Sequence, residues 1–178
     1  MTHFEYISVA VSLIYSLILA KLLGALPAAL QPGKRYWVHA LWIVSLLGVT
    51  LDSWWRFWTY REVDWHPTAF VVLLAVPSII FLRAAVLIGH QPYDVPSWRN
   101  HYYNVRRPFF LLQLLASVNM IASHWIITGK ILPVSVLGGI AFFSLLAIFA
   151  AISPNHRLHE TVAVVSAPAF VSSIFVDF

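Results

Sequence analysis

The chain contains no cysteine. That excludes disulfides, thiolate metal sites, iron–sulfur clusters and thiol redox chemistry within it, and with them the quinone-linked disulfide oxidases. Charge is scarce too: 10% of the 178 residues are charged and 60% are hydrophobic. A soluble domain is about 25% charged and about 45–50% apolar. No run of basic residues exceeds two, as in Lys34-Arg35 and Arg106-Arg107, so no nucleic-acid partner is expected. Catalytic signatures are missing as well, with no Gly-x-Ser-x-Gly, His-Glu-x-x-His, phosphate loop or Gly-x-Gly-x-x-Gly. No catalytic residue is indicated.

What the sequence has in abundance is apolar length. Six stretches, roughly 5–26, 37–60, 67–89, 106–128, 132–152 and 159–177, approach or reach the roughly 20 residues that a bilayer crossing requires. The expected fold is therefore all-α: one polytopic integral membrane domain over residues 1–178 with six transmembrane helices. The second stretch is interrupted by Asp52 and Arg56. The sixth is short and contains Pro168, which leaves five crossings plus a half-inserted tail as the alternative. The opening segment Met1–Tyr6 carries Glu5 and no Lys or Arg, so the first stretch lacks the basic leader of a cleavable signal and reads as a retained helix. The long polar loop from Gly89 to Val105 divides the chain three plus three, which leaves room for two inverted three-helix halves.

Charge sorts by loop. Lys21, Lys34, Arg35, Arg83, Arg99, Arg106, Arg107 and Arg157 fall on one side, against Arg56, Arg61 and Lys130 on the other. Glu5, Asp52, Glu62, Asp64 and Asp177 share the side with few cations. The excess of cations in alternate loops predicts a cytoplasmic basic side and two extracytoplasmic termini. Trp37, Trp54, Trp55, Trp58, Trp65, Trp98 and Trp125 read as an interfacial belt. Ser8, Ser12, Ser16, Ala20 and Gly24 recur every four residues and predict a close-packing face on the first helix. The fifth stretch carries no charge and reads as the most lipid-exposed. Pro77 frees the Leu73 carbonyl and predicts a kink.

Polar residues at membrane depth are the functional candidates, because a charge at the bilayer centre costs at least about 2.5–3.5 kcal/mol. Asp52 and Arg56, four apart, read as a local ion pair or as part of a pathway with Glu5 at the same end. Gln113, Asn119 and His124 put polar groups on two sides of the fourth helix, which predicts a place inside the bundle. Lys21 and Arg83 read as snorkelling cations, or as a basic pocket with Arg106 and Arg107 for an anionic headgroup or ligand. Of the eight histidines, His39, His90 and His101 match in depth, and His156, His159 and Glu160 are close in sequence. Neither set is taken as a haem or metal site, and no cofactor is expected.

Four tracts carry a resemblance: Phe4-Glu5-Tyr6-Ile7-Ser8-Val9, Tyr36-Trp37-Val38-His39, Trp54-Trp55, and His101-Tyr102-Tyr103-Asn104-Val105-Arg106-Arg107-Pro108-Phe109-Phe110. On these the chain resembles a group of uncharacterised small six-helix bacterial inner-membrane proteins over roughly its first two-thirds. The resemblance implies a bacterial inner membrane and six helices, supplies no activity, and singles out Glu5, Trp54, Trp55, Tyr102, Tyr103, Arg106 and Arg107. The Trp-rich five-helix sensory proteins that bind porphyrins do not match in their Trp tracts or helix count. The leading functional expectation is an intramembrane pathway or pocket, as in a channel, transporter or ligand-binding sensor. The alternative is a non-transporting lipid-binding or assembly subunit. Either would work in the lipid bilayer, with anionic lipids at its cytoplasmic side, as a homo-oligomer.

Overall fold

The computed structural model describes residues 3–63 and 65–172, with side chains as far as Ala167. Six helices follow in order: α1 (His3–Ala29), α2 (Trp37–Phe57), α3 (Pro67–Ile88), α4 (Trp98–Thr128), α5 (Val134–Ile152) and α6 (His156–Ser172). Short 3-10 turns at Trp58–Tyr60 and Pro92–Asp94 complete the connections, and the described residues contain no strand. The chain is an all-helical membrane protein: α1 to α5 are each long and apolar enough to cross a bilayer. The described part of α6 is 17 residues long and opens on the polar tract His156-Arg157-Leu158-His159-Glu160. The expected far end of the sixth stretch, together with Asp64 and Asp177, lies outside the described residues.

The helices form a closed bundle around α2. That helix packs against α1, α3 and α6 and touches α4; α3 joins α1 to α4, and α5 joins α4 to α6. The turns after α1, α3 and α5 meet at one end, called the basic end here for the cations it carries. Phe4 on α1 stacks against Phe57 at the close of α2 with ring centres 5.0 Å apart, at the opposite end. Burial concentrates toward the basic end, where Trp98, Tyr102, Phe109, Phe110, Leu87, His39 and His159 are among the largest fully buried side chains.

Four expectations are corrected by this packing. The tract from Trp98 to Val105 is not loop but the first two turns of α4, opened by the Ser97 hydroxyl accepting from the Asn100 amide at 3.4 Å. Its polar residues obscure an aromatic spacing of four and seven, Trp98, Tyr102 and Phe109, that places one ring after another on the inward face. Trp98 accordingly is fully buried rather than interfacial, whereas Trp37, Trp54, Trp55, Trp58 and Trp125 stay exposed. Beyond Phe110, α4 buries only Ser123 among its side chains, so its polar outer half is not enclosed by the bundle.

The small-residue stripe of α1 is the fourth correction. Ser16, Ala20 and Gly24 are exposed, and a Cβ on Gly24 would meet nothing within 4 Å. The inward face is instead Ile7, Val11, Tyr15, Ile18, Leu22 and Ala25, because bulky apolar groups fill the core and release more surface from contact with the surroundings than serine or glycine can. Pro77 sits within an unbroken α3. Next to the carbonyl it frees, Asn119 Nδ2 donates to the Val72 carbonyl at 3.4 Å.

Candidate functional site

The last carbonyls of a helix lack partners within it, and at the basic end side chains from three other helices supply them. His39 Nε2 on α2 and His101 Nε2 on α4 both donate to the Leu87 carbonyl of α3, each at 2.9 Å. Lys21 Nζ on α1 donates to the Gly89 carbonyl at 3.2 Å. Donors and cations suit this place, since the helix dipole leaves its C-terminus partly negative. Gly89 ends α3 at φ +74°, beside the His101 ring. The turn needs glycine for this positive-φ backbone, which side chains with a Cβ rarely adopt.

Trp98 ties the same end to α1. Its indole Nε1 donates to the Ala28 carbonyl at 2.9 Å and its backbone amide donates to the Lys34 carbonyl at 3.1 Å. The ring stacks on His39 with centres 4.3 Å apart. His39 and His101 meet at 79° over one shared carbonyl rather than facing each other across a gap, so the depth match noted in the sequence serves a helix cap.

A second group joins α4 to α6. The Tyr102 hydroxyl donates to His159 Nδ1 at 2.9 Å, and His159 Nε2 donates to the Ser153 carbonyl at 2.9 Å. The two bonds specify the Nε2-protonated tautomer. Tyr102, Tyr103 and Phe110 surround the imidazole with ring centres 5.3, 5.2 and 6.0 Å away. Arg106 Nη1 donates to the Tyr103 carbonyl at 2.6 Å. The Tyr36 and Tyr103 hydroxyls stand 3.4 Å apart. Burial, and then that contact, push the Tyr36 phenol above its ordinary range. A phenol bonded to an imidazole can share a proton, yet both residues are fully buried and offer a substrate no approach.

One layer further in, the Arg83 guanidinium carbon lies 5.2 Å from the centre of the Phe109 ring. Trp42 packs edge-on against Phe109 and Phe110. Beside it a cavity of about 10 Å³, lined by Gln113, Phe143, Val162 and Ser166 among others, is no larger than one water-sized sphere.

The sequence candidates separate into three groups. Asp52 and Arg56 are brought together, with Arg56 Nε donating to both carboxylate oxygens at 3.0 and 3.1 Å. Their side chains are 18% and 40% exposed, so Asp52→Asn is expected to lower stability by only about 0.2–1 kcal/mol in a thermal-unfolding comparison. Gln113 lines the small cavity, Asn119 is bonded to α3, His124 is half-buried in the outer half of α4, and Glu5 is exposed in the first turn of α1. The four cations do not share a pocket in the described residues: Lys21 caps α3, Arg83 is buried against Phe109, Arg106 holds Tyr103, and Arg107 is exposed. Arg83 does not snorkel, being 2% exposed.

Sequence reasoning missed His39, Trp98 and His159 as partners. The available signal was the helical spacing of aromatic residues on α4; their partners lie 48 to 70 residues away and leave no local trace. No group of three potential metal ligands occurs among the described residues, and His156 is exposed while His159 is held by Tyr102 and Ser153. No protein-family model, curated protein or solved structure matches the chain.

Proposed function

We propose that the chain is a non-transporting assembly protein of the bacterial inner membrane that binds anionic phospholipid through its basic end. The single observation that carries this reading is the closed basic end. There Trp98, His39, Tyr102 and His159 are fully buried, Tyr102 bonded to His159 and the other two to carbonyls of neighbouring helices, in the place where a passage would open. Toward the other end, Asp52 is bonded to Arg56 and Asn119 to the Val72 carbonyl, so two of the polar groups a pathway would use have partners already. Around the closed end stand the exposed cations Arg35, Arg99, Arg107 and Arg157, and juxtamembrane cations attract an anionic leaflet by about 1 kcal/mol each. The alternation of charge supports a cytoplasmic position for this end and an extracytoplasmic one for both chain termini.

The test pairs ion flux with lipid retention. Reconstituted protein is expected to conduct nothing above empty liposomes, while native mass spectrometry in mild detergent retains anionic lipid. A flux that Asp52→Asn abolishes would restore the pathway reading. One observation favours that second reading in oligomeric form: Ser8, Ser12 and Ser16 line an outward groove of about 350 Å³ on α1. Copies meeting there could enclose a polar route between them.

A further inference from the structure

Arg83 lies five residues before Ile88, where α3 ends, so about 7.5 Å of helix rise separates it from the basic end. It is 2% exposed, and its Nε is buried with no hydrogen-bond partner. Among the described residues no acid pairs with it. Asp52 is engaged by Arg56 and Glu62 by Arg61, both on the far side of the bundle from the basic end. Glu5 is exposed in the first turn of α1, Asp94 is exposed in the turn after α3, and Glu160 is half-buried at the start of α6.

The neighbouring polar groups are treated differently. The buried His39 and His159 and the half-buried His101 and Lys21 each meet a carbonyl or hydroxyl from another element. Among the described residues, the Arg83 guanidinium has the face of Phe109 alone. Three residues before Phe109 on the same helix, Arg106 has a second buried Nε without a partner. A guanidinium does not relieve burial by losing its proton, and a ring face compensates its charge only in part. An ion buried without a counter-charge is among the least favourable arrangements an apolar interior can hold.

We propose that Arg83 is the seat of an intramembrane anion site that takes a phosphate group in its guanidinium fork. The planar fork matches two phosphate oxygens at once. At about one and a half helical turns from the basic end, phosphate is also the anion a bilayer itself supplies. The site rests on the lipid-binding reading above and deepens it: exposed cations gather anionic lipid, and Arg83 holds its phosphate. A phospholipid headgroup and free phosphate share this chemistry.

The experiment compares thermal midpoints of the full chain in neutral detergent with added phosphatidylglycerol, phosphatidylcholine or inorganic phosphate. Saturating phosphatidylglycerol is expected to raise the wild-type midpoint by about 5–10 °C, with little change from phosphatidylcholine. Arg83→Met is expected to lose that shift, and Lys130→Ala, an exposed cation at the opposite end, to keep it. Should Arg83→Met not fold, Arg83→Lys carries the test. It keeps the charge without the fork, and its apparent affinity is expected to fall about tenfold. An equal shift with inorganic phosphate assigns the site to the free ion, and a shift with phosphatidylglycerol alone assigns it to lipid. A wild-type shift that persists unchanged in Arg83→Met, or in Arg83→Lys where that variant is used, overturns the site and leaves lipid binding standing. No wild-type shift with any probe overturns both.

Discussion

Trp98→Ala is expected to destabilise the chain by about 3–5 kcal/mol, the largest effect of any single substitution considered. The side chain is fully buried at the start of α4 and touches two other helices of the bundle as well as its own. Its indole N–H holds the Ala28 carbonyl at the end of α1, its ring stacks on His39 of α2, and its edge meets His101 on its own helix. Truncation removes that packing, leaves the Ala28 carbonyl without its donor, and frees His39 to tilt away from the Leu87 carbonyl it caps. For a chain of this size such a loss corresponds to a fall in the thermal midpoint of roughly 10 °C. Trp98→Phe separates the parts: it keeps a ring against His39 but not the hydrogen bond, and is expected to cost about 1–3 kcal/mol. If Trp98→Ala melted within about 2 °C of wild type, the basic end would not be the stable part of this fold.

His159→Ala is expected to release α6 from the bundle. The imidazole is fully buried, accepts from Tyr102 and donates to the Ser153 carbonyl, so its loss leaves the buried Tyr102 hydroxyl unsatisfied at about 1–3 kcal/mol and frees the half-buried Ser153 carbonyl. Val162 and Ala163, one turn further along α6, are 2% and 1% exposed, so they lie in the packing that holds α6 against the bundle, chiefly α2. The absence of native cysteine makes the measurement direct, because a single Ala163→Cys is the only thiol in the chain. With His159 present, a membrane-permeant maleimide is expected to label that thiol slowly. In the His159→Ala background labelling is expected to rise about tenfold or more, since about 1.4 kcal/mol of lost protection already gives tenfold opening. Tyr102→Phe, which removes one bond and keeps the ring, belongs between the two. Equal labelling in both backgrounds would mean that α6 is held by apolar packing alone.

Much of this architecture was legible in the chain because it depends on local properties. A run of about 20 apolar residues selects helix and membrane by itself, since every backbone group in lipid must be bonded within its own segment. The Asp52–Arg56 pair was legible for the same reason: four residues on a helix place two side chains together whatever surrounds them. The start of α4 was not, because Arg99, Asn100, His101 and Asn104 raise the polarity of a segment that nevertheless buries Trp98 and Tyr102. The serine stripe of α1 misled in the opposite direction. Its spacing suits close packing, but the adjacent bulky face had first claim on the interior.

By itself, then, the sequence determined an all-helical membrane bundle and the polarity of its loops, because hydropathy over a span and charge in a turn require no partner. Tertiary structure alone decided that Trp98 is core, that His39 and His101 share one carbonyl, that His159 secures α6, and that Arg83 is buried with no acid beside it among the described residues. Those outcomes depend on atoms such as Ala28 and Trp98, 70 residues apart, or Tyr102 and His159, 57 apart. Hydrogen bonding acts over about 3 Å, so which groups meet is set by how the helices dock and not by the periodicity of any one of them.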